Sequence, residues 1–212
     1  SIFKGKVRNL EDGLKAAFVD IGFEKNAFLH YWDIVPNQFD SGVEIVEREG
    51  SRRRDRPKIT QKDIPRLYPP SSEIIVQVTK GPIGTKGSRV TTYVSLPGRY
   101  LVFMPNVEHI GVSRRIARDE ERARLKDIMK RVRHPGCGYI VRTVSEGVKE
   151  DELKSDVDFL HVLWQDILAK REQKGAPALL HADLSLSFRV VRDLFGKKVD
   201  RLWIDSREEY QA

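Results

Sequence analysis

The sequence predicts an α+β protein in which a small β-barrel precedes a mixed region of helices and strands. Two observations lead to this fold class. The first third carries short apolar runs that end at turn residues, and the remainder alternates strand patterns with strongly helical segments. With 212 residues, of which 40% are hydrophobic, the chain is long enough to form more than one hydrophobic core.

Five short strands are predicted near the start of the chain. They cover residues 3–7, 16–22, 26–30, 73–78 and 89–95. The stretch over residues 36–70 is polar and contains prolines, so we predict an insertion loop there with room for one short helix. Five short strands interrupted by one long loop are typical of a five-stranded Greek-key barrel of the OB kind.

The rest of the chain alternates between strands and helices. Strands are predicted at residues 100–104, 139–143, 178–181 and 201–205, and helices at residues 117–133, 153–168 and 184–195. In the second of these helices, Leu153, Val157, Leu160 and Trp164 recur at steps of three and four, which places them on one helix face. The elements after residue 178 form a closing β-α-β pattern.

The net charge of +7 favours a polyanionic partner. Basic residues concentrate in a block at residues 52–58 and again over residues 114–133. A solvated loop and a helix surface of mixed charge explain these two concentrations equally well. Charge alone therefore leaves nucleic-acid binding and an ordinary basic surface open.

Several classes of protein are disfavoured by the residues present. No apolar run is long enough to span a membrane, and no signal-peptide pattern is visible. Cys137 is the single cysteine, which excludes an internal disulfide and a cysteine-based zinc site in this chain and weakly favours a cytoplasmic location. The histidines lack metal-ligand spacing. Asp156 and Asp158 diverge on a helix, so we expect an exposed acidic face and no catalytic or metal-binding residue.

Three features are candidates for binding a nucleic acid. Residues 81–88 are rich in glycine but lack the contiguous Gly-Lys-Ser/Thr of a phosphate loop, so we predict a hairpin that presents Lys86 at its tip. Phe18 and Phe28 lie on neighbouring predicted strands, where they either stack on bases or belong to the core. Residues 138–143 end in Arg142 and Thr143, a guanidinium beside a hydroxyl that together suit a phosphate.

Taken together, these segments resemble the bacterial RNase E/RNase G endoribonuclease family over nearly the whole chain. The resemblance is carried by residues 2–7, 16–22, 84–87, 95–106 (SLPGRYLVFMPN), 111–116 (GVSRRI) and 138–143. It implies an S1-type OB domain over residues 1–92, a 5′-sensor region over residues 93–182 and part of an RNase H-like subdomain over residues 183–212.

The resemblance also implies roles for particular residues. Phe18, Phe28 and Lys86 correspond to residues that contact RNA, and we add Lys80 and Arg114 as basic contacts. The pocket for a 5′-monophosphate corresponds to Gly98, Val102, Arg142 and Thr143. A side chain at position 98 is expected to block the approach of the backbone to the phosphate.

The family's catalytic aspartates with their Mg²⁺, and the Zn²⁺ link between its subunits, have no counterpart in this sequence. We therefore expect a part of a longer, oligomeric, Mg-dependent endoribonuclease, and we expect this part to bind single-stranded RNA without cutting it. The sequence leaves two alternatives open. One is a stand-alone S1-type RNA-binding module without nuclease activity, and the other is a purely structural role in a larger assembly.

Overall fold

A computed structural model describes residues 1–34, 43–45, 60–105, 107–195 and 199–211. The basic block at residues 52–58, most of the predicted insertion loop and Asn106 lie outside the described residues. The strands are β1 Ile2–Glu11, β2 Ala16–Asp20, β3 Ala27–His30, β4 Val43–Ile45, β5 Glu73–Lys80, β6 Arg89–Thr91, β7 Leu96–Pro97, β8 Leu101–Met104, β9 Ile110–Ser113, β10 Gly138–Val141 and β11 Ala178–His181. The α-helices are α1 Ile64–Leu67, α2 Asp119–Val132, α3 Glu150–Gln173, α4 Leu186–Leu194 and α5 Arg207–Gln211.

The predicted five-stranded barrel is present. Its strands pair in the order β1-β2-β3-β6-β5, and pairing of β5 with β1 closes the ring. All neighbours are antiparallel except β3 and β6. Successive side chains of a strand point to opposite faces, so the buried Ala17, Val19 and Leu29 fill the interior while Phe18 and Phe28 face outward. The α+β fold class with an OB-like barrel is therefore confirmed.

A second sheet packs against two helices. Its strand order is β4-β9-β10-β8-β7, with β9 and β10 parallel and the other neighbours antiparallel. The helix stripes that the sequence predicts are the buried ones, and they form one core with this sheet. Leu125, Ile128 and Met129 of α2 and Leu153 and Leu160 of α3 are all buried in it. The apolar faces of α2 and α3 thus follow directly from their spacing in the sequence.

The first strand belongs to both regions. Residues Ile2, Phe3 and Lys4 of β1 pair with β5 and with β11, and β2 takes over from β11 at Lys6. The ammonium group of Lys4 is nearly buried and donates to the carbonyl oxygens of Arg171 (3.0 Å) and Lys174 (2.8 Å) at the end of α3. It also lies 2.8 Å from a carboxylate oxygen of Glu73. This one side chain therefore joins β1, β5 and the last turn of α3.

Several strand ends differ from the sequence prediction, and one predicted strand is wrong. β1 and β5 extend beyond their predicted ends, and β4, β7 and β9 were not predicted, although β4 lies within the predicted insertion loop. β6 ends at Thr91 because the side-chain amide of Gln77 pairs with the backbone N–H and carbonyl of Ser95, at 2.8 and 2.9 Å. β10 ends at Val141 because the chain turns into a 3₁₀ helix at Thr143–Ser145. Residues 201–205 form no strand.

The residues from Ser1 to Ala182 form one compact unit, and those from Asp183 to Ala212 form another. The second unit contains α4 and α5. Its described part offers no strand with which residues 201–205 could pair, and a strand without a partner leaves its backbone groups unsatisfied. This explains why the last strand of the predicted β-α-β pattern does not form.

Candidate nucleic-acid interface

One line of directly paired residues crosses the outside of the barrel. Phe18 lies opposite Phe28, Phe28 lies opposite Arg89, and Arg89 lies opposite Lys80. Side chains of directly opposed residues share a face of the sheet, so this line, which we call the cross-strand row, joins two aromatic rings to two cations. The rings of Phe18 and Phe28 meet edge to face with centroids 5.8 Å apart, and both are half-buried. The row has the composition of a surface for single-stranded nucleic acid.

The aromatic part of this face extends beyond the two predicted phenylalanines. The His30 ring lies 6.2 Å from that of Phe28, and the Trp32 ring lies 4.3 Å from that of His30. Sequence reasoning missed both residues. The signal was available for His30, because positions 28 and 30 of one strand share a face. No such signal exists for Trp32, which lies in the 3₁₀ helix Tyr31–Asp33 after the strand.

The predicted lysine contact lies on a hairpin beside this face. Lys86 is exposed in the turn between β5 and β6, where Ile83 and Lys86 exchange backbone hydrogen bonds of 3.2 and 3.0 Å. The hairpin is held to the β2–β3 loop, because the Lys25 ammonium donates to the carbonyl of Gly84. Gly87 permits this approach, since a Cβ there would overlap the carbonyl oxygen of Asn26. The sequence prediction of a glycine-rich hairpin is confirmed.

The predicted phosphate-pocket residues lie around the turn between β7 and β8. The Nη1 atom of Arg142 donates to the carbonyl oxygens of Gly98 (2.7 Å) and Arg99 (3.0 Å). Val102 is half-buried on β8, where it pairs with Pro97 and Ile140. The structure thus brings Arg142 onto Gly98, with its guanidinium oriented by two backbone carbonyls.

Thr143 lies next to a second hydroxyl that sequence reasoning missed. Its Oγ1 atom is 3.0 Å from the Oγ of Ser113, which ends β9. The backbone N–H of Arg115 donates to the same Ser113 hydroxyl at 3.3 Å. Arg114, one of the predicted RNA contacts, lies between Ser113 and Arg115 in the chain and is exposed. Two hydroxyls and a basic segment therefore meet where β9 and β10 end.

The expectation that Asp156 belongs to a solvated acidic face is wrong. Its carboxylate accepts hydrogen bonds from the backbone N–H groups of Arg99 (3.1 Å), Tyr100 (2.9 Å) and Leu101 (2.9 Å). A Cβ at Gly98 would lie 2.6–2.9 Å from the atoms of this carboxyl group. The N–H of Gly98 donates to the carbonyl of Leu101 at 2.8 Å. The glycine is thus required by a carboxylate inside the protein, and its amide is already hydrogen-bonded.

Opposite charges hold the two sides of this turn. The carboxylate of Asp156 accepts hydrogen bonds from three backbone N–H groups, and the guanidinium of Arg142 donates to two backbone carbonyls. Burial raises the pKa of the Tyr100 hydroxyl, which donates to a carboxylate oxygen of Glu152 at 3.4 Å. The turn is consequently fixed from both faces before any ligand binds.

The loop that follows Thr143 is tied to α2 by a bidentate ion pair. Glu121 accepts from Arg124 at 2.7 Å through both carboxylate oxygens, and it also accepts from the backbone N–H of Gly147 at 2.8 Å. The Arg124 guanidinium, and secondarily the Gly147 amide, lower the pKa of Glu121 to about 2. Glu121 is therefore ionised at neutral pH, and its hydrogen bond to Gly147 keeps the loop near α2.

The described residues contain no group of three or more side chains of the kinds that hold a metal ion. Burial raises the pKa of the Cys137 thiol, which favours its protonated form. Within the same described ranges, no helix is both long and apolar enough to cross a membrane.

Comparison with known proteins identifies the family. A sequence profile of the Ribonuclease E/G family matches residues 95–212. The chain belongs to this family. It is 41% identical to Ribonuclease G of Escherichia coli over all 212 residues, which make up 41% of that protein. Ribonuclease G of Haemophilus influenzae is 40% identical over 98% of the chain and 40% of its own length. Ribonuclease E of a Nostoc species is 37% identical over 97% of the chain and 27% of its own length.

This ribonuclease E/G family chain thus spans about two fifths of the length of the ribonuclease G relatives that it matches. The matches to the three named relatives include the barrel, whereas the profile begins at residue 95, close to the start of β7.

Proposed function

We propose that this chain is the RNA-binding and 5′-monophosphate-sensing part of a ribonuclease E/G endoribonuclease. Its partner would be single-stranded RNA, and the parent enzyme would act in mRNA decay and rRNA processing in the cytoplasm. The names Ribonuclease G and Ribonuclease E of the relatives favour a nuclease parent over a stand-alone RNA-binding module.

The cross-strand row is the observation that carries the RNA-binding half of this proposal. Phe18 and Phe28 offer ring surfaces on which bases can stack, a mode that tolerates any sequence because every base has a π-face. Arg89 and Lys80 continue the row with positive charge, and exposed Lys86 lies on the neighbouring hairpin. Aromatic platforms beside a basic track are the usual means of holding a single strand without reading its sequence.

The sensing half rests on the oriented Arg142. Its guanidinium is directed by the Gly98 and Arg99 carbonyls, and a planar fork of this kind grips a phosphate through parallel hydrogen bonds. The hydroxyls of Thr143 and Ser113, with Arg114 nearby in the chain, add donors that suit a terminal phosphate. Because the amide of Gly98 is bonded to Leu101, we assign the phosphate contacts to side chains and regard Gly98 and Val102 as pocket walls.

Catalysis is assigned to the part of the relatives' length that this chain does not span. In that part we expect the aspartates that hold the catalytic Mg²⁺ and the cysteines that link subunits of a homo-oligomer through Zn²⁺. Carboxylates and thiolates are the ligand types that suit these two ions, and we propose that both ions bind in that part of the relatives' length. The chain itself would select RNA and leave the phosphodiester bond intact.

The sensing proposal is tested with two fluorescent single-stranded RNAs that differ only in a 5′-monophosphate or 5′-hydroxyl end. We expect the chain to bind the phosphorylated RNA about 10-fold more tightly, since a charge-assisted hydrogen bond contributes roughly 1.5–3 kcal/mol. Arg142→Ala should abolish this preference, and Arg142→Lys should restore it only in part because the ammonium group lacks the fork.

Arg131→Ala is the matched control, because Arg131 pairs with Glu150 at 2.7 Å and lies outside the proposed pocket. Fluorescence anisotropy gives both affinities. Equal binding of the two RNAs by the unchanged chain would contradict the sensing proposal, and so would a preference that survives in Arg142→Ala.

A further inference from the structure

The aromatic face of the barrel continues past the two phenylalanines to Trp32. From Phe18 the ring centroids follow one another at 5.8 Å to Phe28, 6.2 Å to His30 and 4.3 Å to Trp32. The rings therefore form one uninterrupted series. Trp32 is the most open of them, with 56% of the residue accessible to solvent.

The backbone fixes the position of the last two rings. The Nδ1 atom of His30 accepts the backbone N–H of Trp32 at 3.2 Å, which caps the 3₁₀ helix Tyr31–Asp33. An acceptor at Nδ1 places the proton of the neutral imidazole on Nε2. The tilt between the two rings is 48°. Trp32 is thus attached to the barrel through a short capped turn and does not sit on a long loop.

The turn that carries Trp32 is anchored to the neighbouring strand β6. Asp33, the residue after Trp32, forms an ion pair of 3.2 Å with Arg89, which is one of the two cations of the cross-strand row. The same Asp33 accepts the hydroxyl of Thr92 through its backbone carbonyl at 2.8 Å. The turn that carries Trp32 is therefore fixed to β6 and lies beside the guanidinium that we expect to meet the RNA backbone.

We propose that Trp32 and His30 form an additional base-stacking subsite, which lengthens the path of single-stranded RNA along the barrel beyond Phe18 and Phe28. This inference rests on the proposed RNA-binding function. An indole offers the largest stacking surface of any side chain, and a large exposed ring in a series with three others is best explained by a partner that covers all of them. Stacking of this kind accepts any base, so the subsite would increase affinity and the length of RNA held without adding sequence preference.

The three tryptophans of the chain make the subsite directly observable. Trp164 is 8% exposed within α3, and Trp203 is 86% exposed in the second compact unit. In a Trp203→Phe background, the solvent-accessible indole is that of Trp32. We expect oligouridylate to quench its fluorescence as the RNA binds, and we expect no such response in a Trp32→Phe, Trp203→Phe double variant.

Affinity provides the second readout, measured with oligouridylates of increasing length. Trp32→Ala should weaken binding about 5- to 100-fold for oligonucleotides long enough to reach the subsite, and less for the shortest ones. Trp32→Phe should recover most of the loss because it retains a ring. Trp203→Ala is the matched control for removal of an exposed indole and should leave the affinity unchanged. Circular dichroism establishes that each variant is folded.

The outcomes separate this inference from the function on which it rests. Failure of the proposed RNA binding would appear as no binding of any oligonucleotide by the unchanged chain, and it would overturn both. If the unchanged chain binds and Phe28→Ala weakens it, while Trp32→Ala binds every length normally and the Trp32 fluorescence does not respond, only the additional subsite is wrong.

Discussion

At the scale of single residues, the turn between β7 and β8 depends on a pair that is distant in the sequence. Gly98 and Asp156 are separated in the chain by β8, β9, α2 and β10, yet a Cβ at position 98 would lie 2.6 Å from a carboxylate oxygen of Asp156. The carboxylate needs that space to reach three backbone N–H groups. The absence of a side chain at position 98 is therefore what allows the Asp156 carboxylate to bind the turn.

This pair predicts a coupled effect on stability. Gly98→Ala should displace the Asp156 carboxylate and lower the free energy of unfolding by roughly 2–3 kcal/mol, because hydrogen bonds to a charged group are lost. In an Asp156→Ala background the same substitution should cost much less, giving a coupling of about 1–2 kcal/mol in a double-mutant cycle. Urea denaturation of the unchanged chain, the two single variants and the double variant measures this coupling.

Gly175→Ala serves as the control for the loss of a glycine, since nothing lies within 4 Å of a Cβ built at Gly175. If the costs of Gly98→Ala and Asp156→Ala simply added, the proposed contact between the two positions would be wrong.

What the sequence could predict at this scale depended on the distance between partners. The outward positions of Phe18 and Phe28 follow from the period of two in a strand, and the buried faces of α2 and α3 follow from helical spacing. The contacts of Asp156 and Ser113 reach residues far away in the chain, and no local pattern signals them. Trp32 was missed for a related reason, because a strand period does not extend into a 3₁₀ helix.

At the scale of elements, the segment that carries Thr143 is held by α2. Glu121 binds Arg124 on its own helix and the amide of Gly147 in the loop before α3. Arg124 also donates to the carbonyl of Val148 at 3.0 Å. The sequence predicted both helices but not this link, since a glutamate and an arginine three residues apart on a helix are ordinarily a surface pair.

The Glu121 link predicts how stability depends on pH. Its pKa is about 2 in the folded chain against an ordinary value of 4.5, so its stabilising contribution is complete above pH 4.5 and is lost as the pH falls toward 2. Glu121→Gln should therefore lower the free energy of unfolding by about 2–3 kcal/mol at neutral pH. The difference from the unchanged chain should shrink as the pH falls through this window, in denaturation curves followed by circular dichroism.

Glu150→Gln provides the comparison. Arg131 lowers the pKa of Glu150 as well, but both partners are largely exposed, so the variant should show a smaller change. A gap between Glu121→Gln and the unchanged chain that stays constant from neutral to acidic pH would contradict the assigned role of Glu121.

At the scale of the whole molecule, the net charge of +7 favours binding of the negatively charged RNA in the proposed function. Lys80 and Lys86 lie beside the aromatic face of the barrel and are exposed. If each neutralises one RNA phosphate, each releases counterions when RNA binds. The affinity should then fall steeply as the salt concentration rises.

Each of these lysines should contribute a measurable part of that salt dependence. In plots of log affinity against log salt for single-stranded RNA, the slope should decrease in magnitude by about 0.7 for Lys80→Ala and by about the same amount for Lys86→Ala. Lys154→Ala is the control, because Lys154 is paired with Asp158 at 2.7 Å on α3. A slope that neither barrel substitution alters would remove both lysines from the RNA path.

The pairing of β1 both with the barrel strands and with β11 has a consequence for the order in which the chain folds. β1 pairs with β2 a few residues later, with β5 some seventy residues later and with β11 near residue 180. Synthesis from the N-terminus makes these partners available in that order, so the barrel can close while β11 is still unmade. Ile2, Phe3 and Lys4 then keep one strand edge unpaired until β11 emerges after α3, so we expect their pairing with β11 to be a late, long-range step in folding of the first unit.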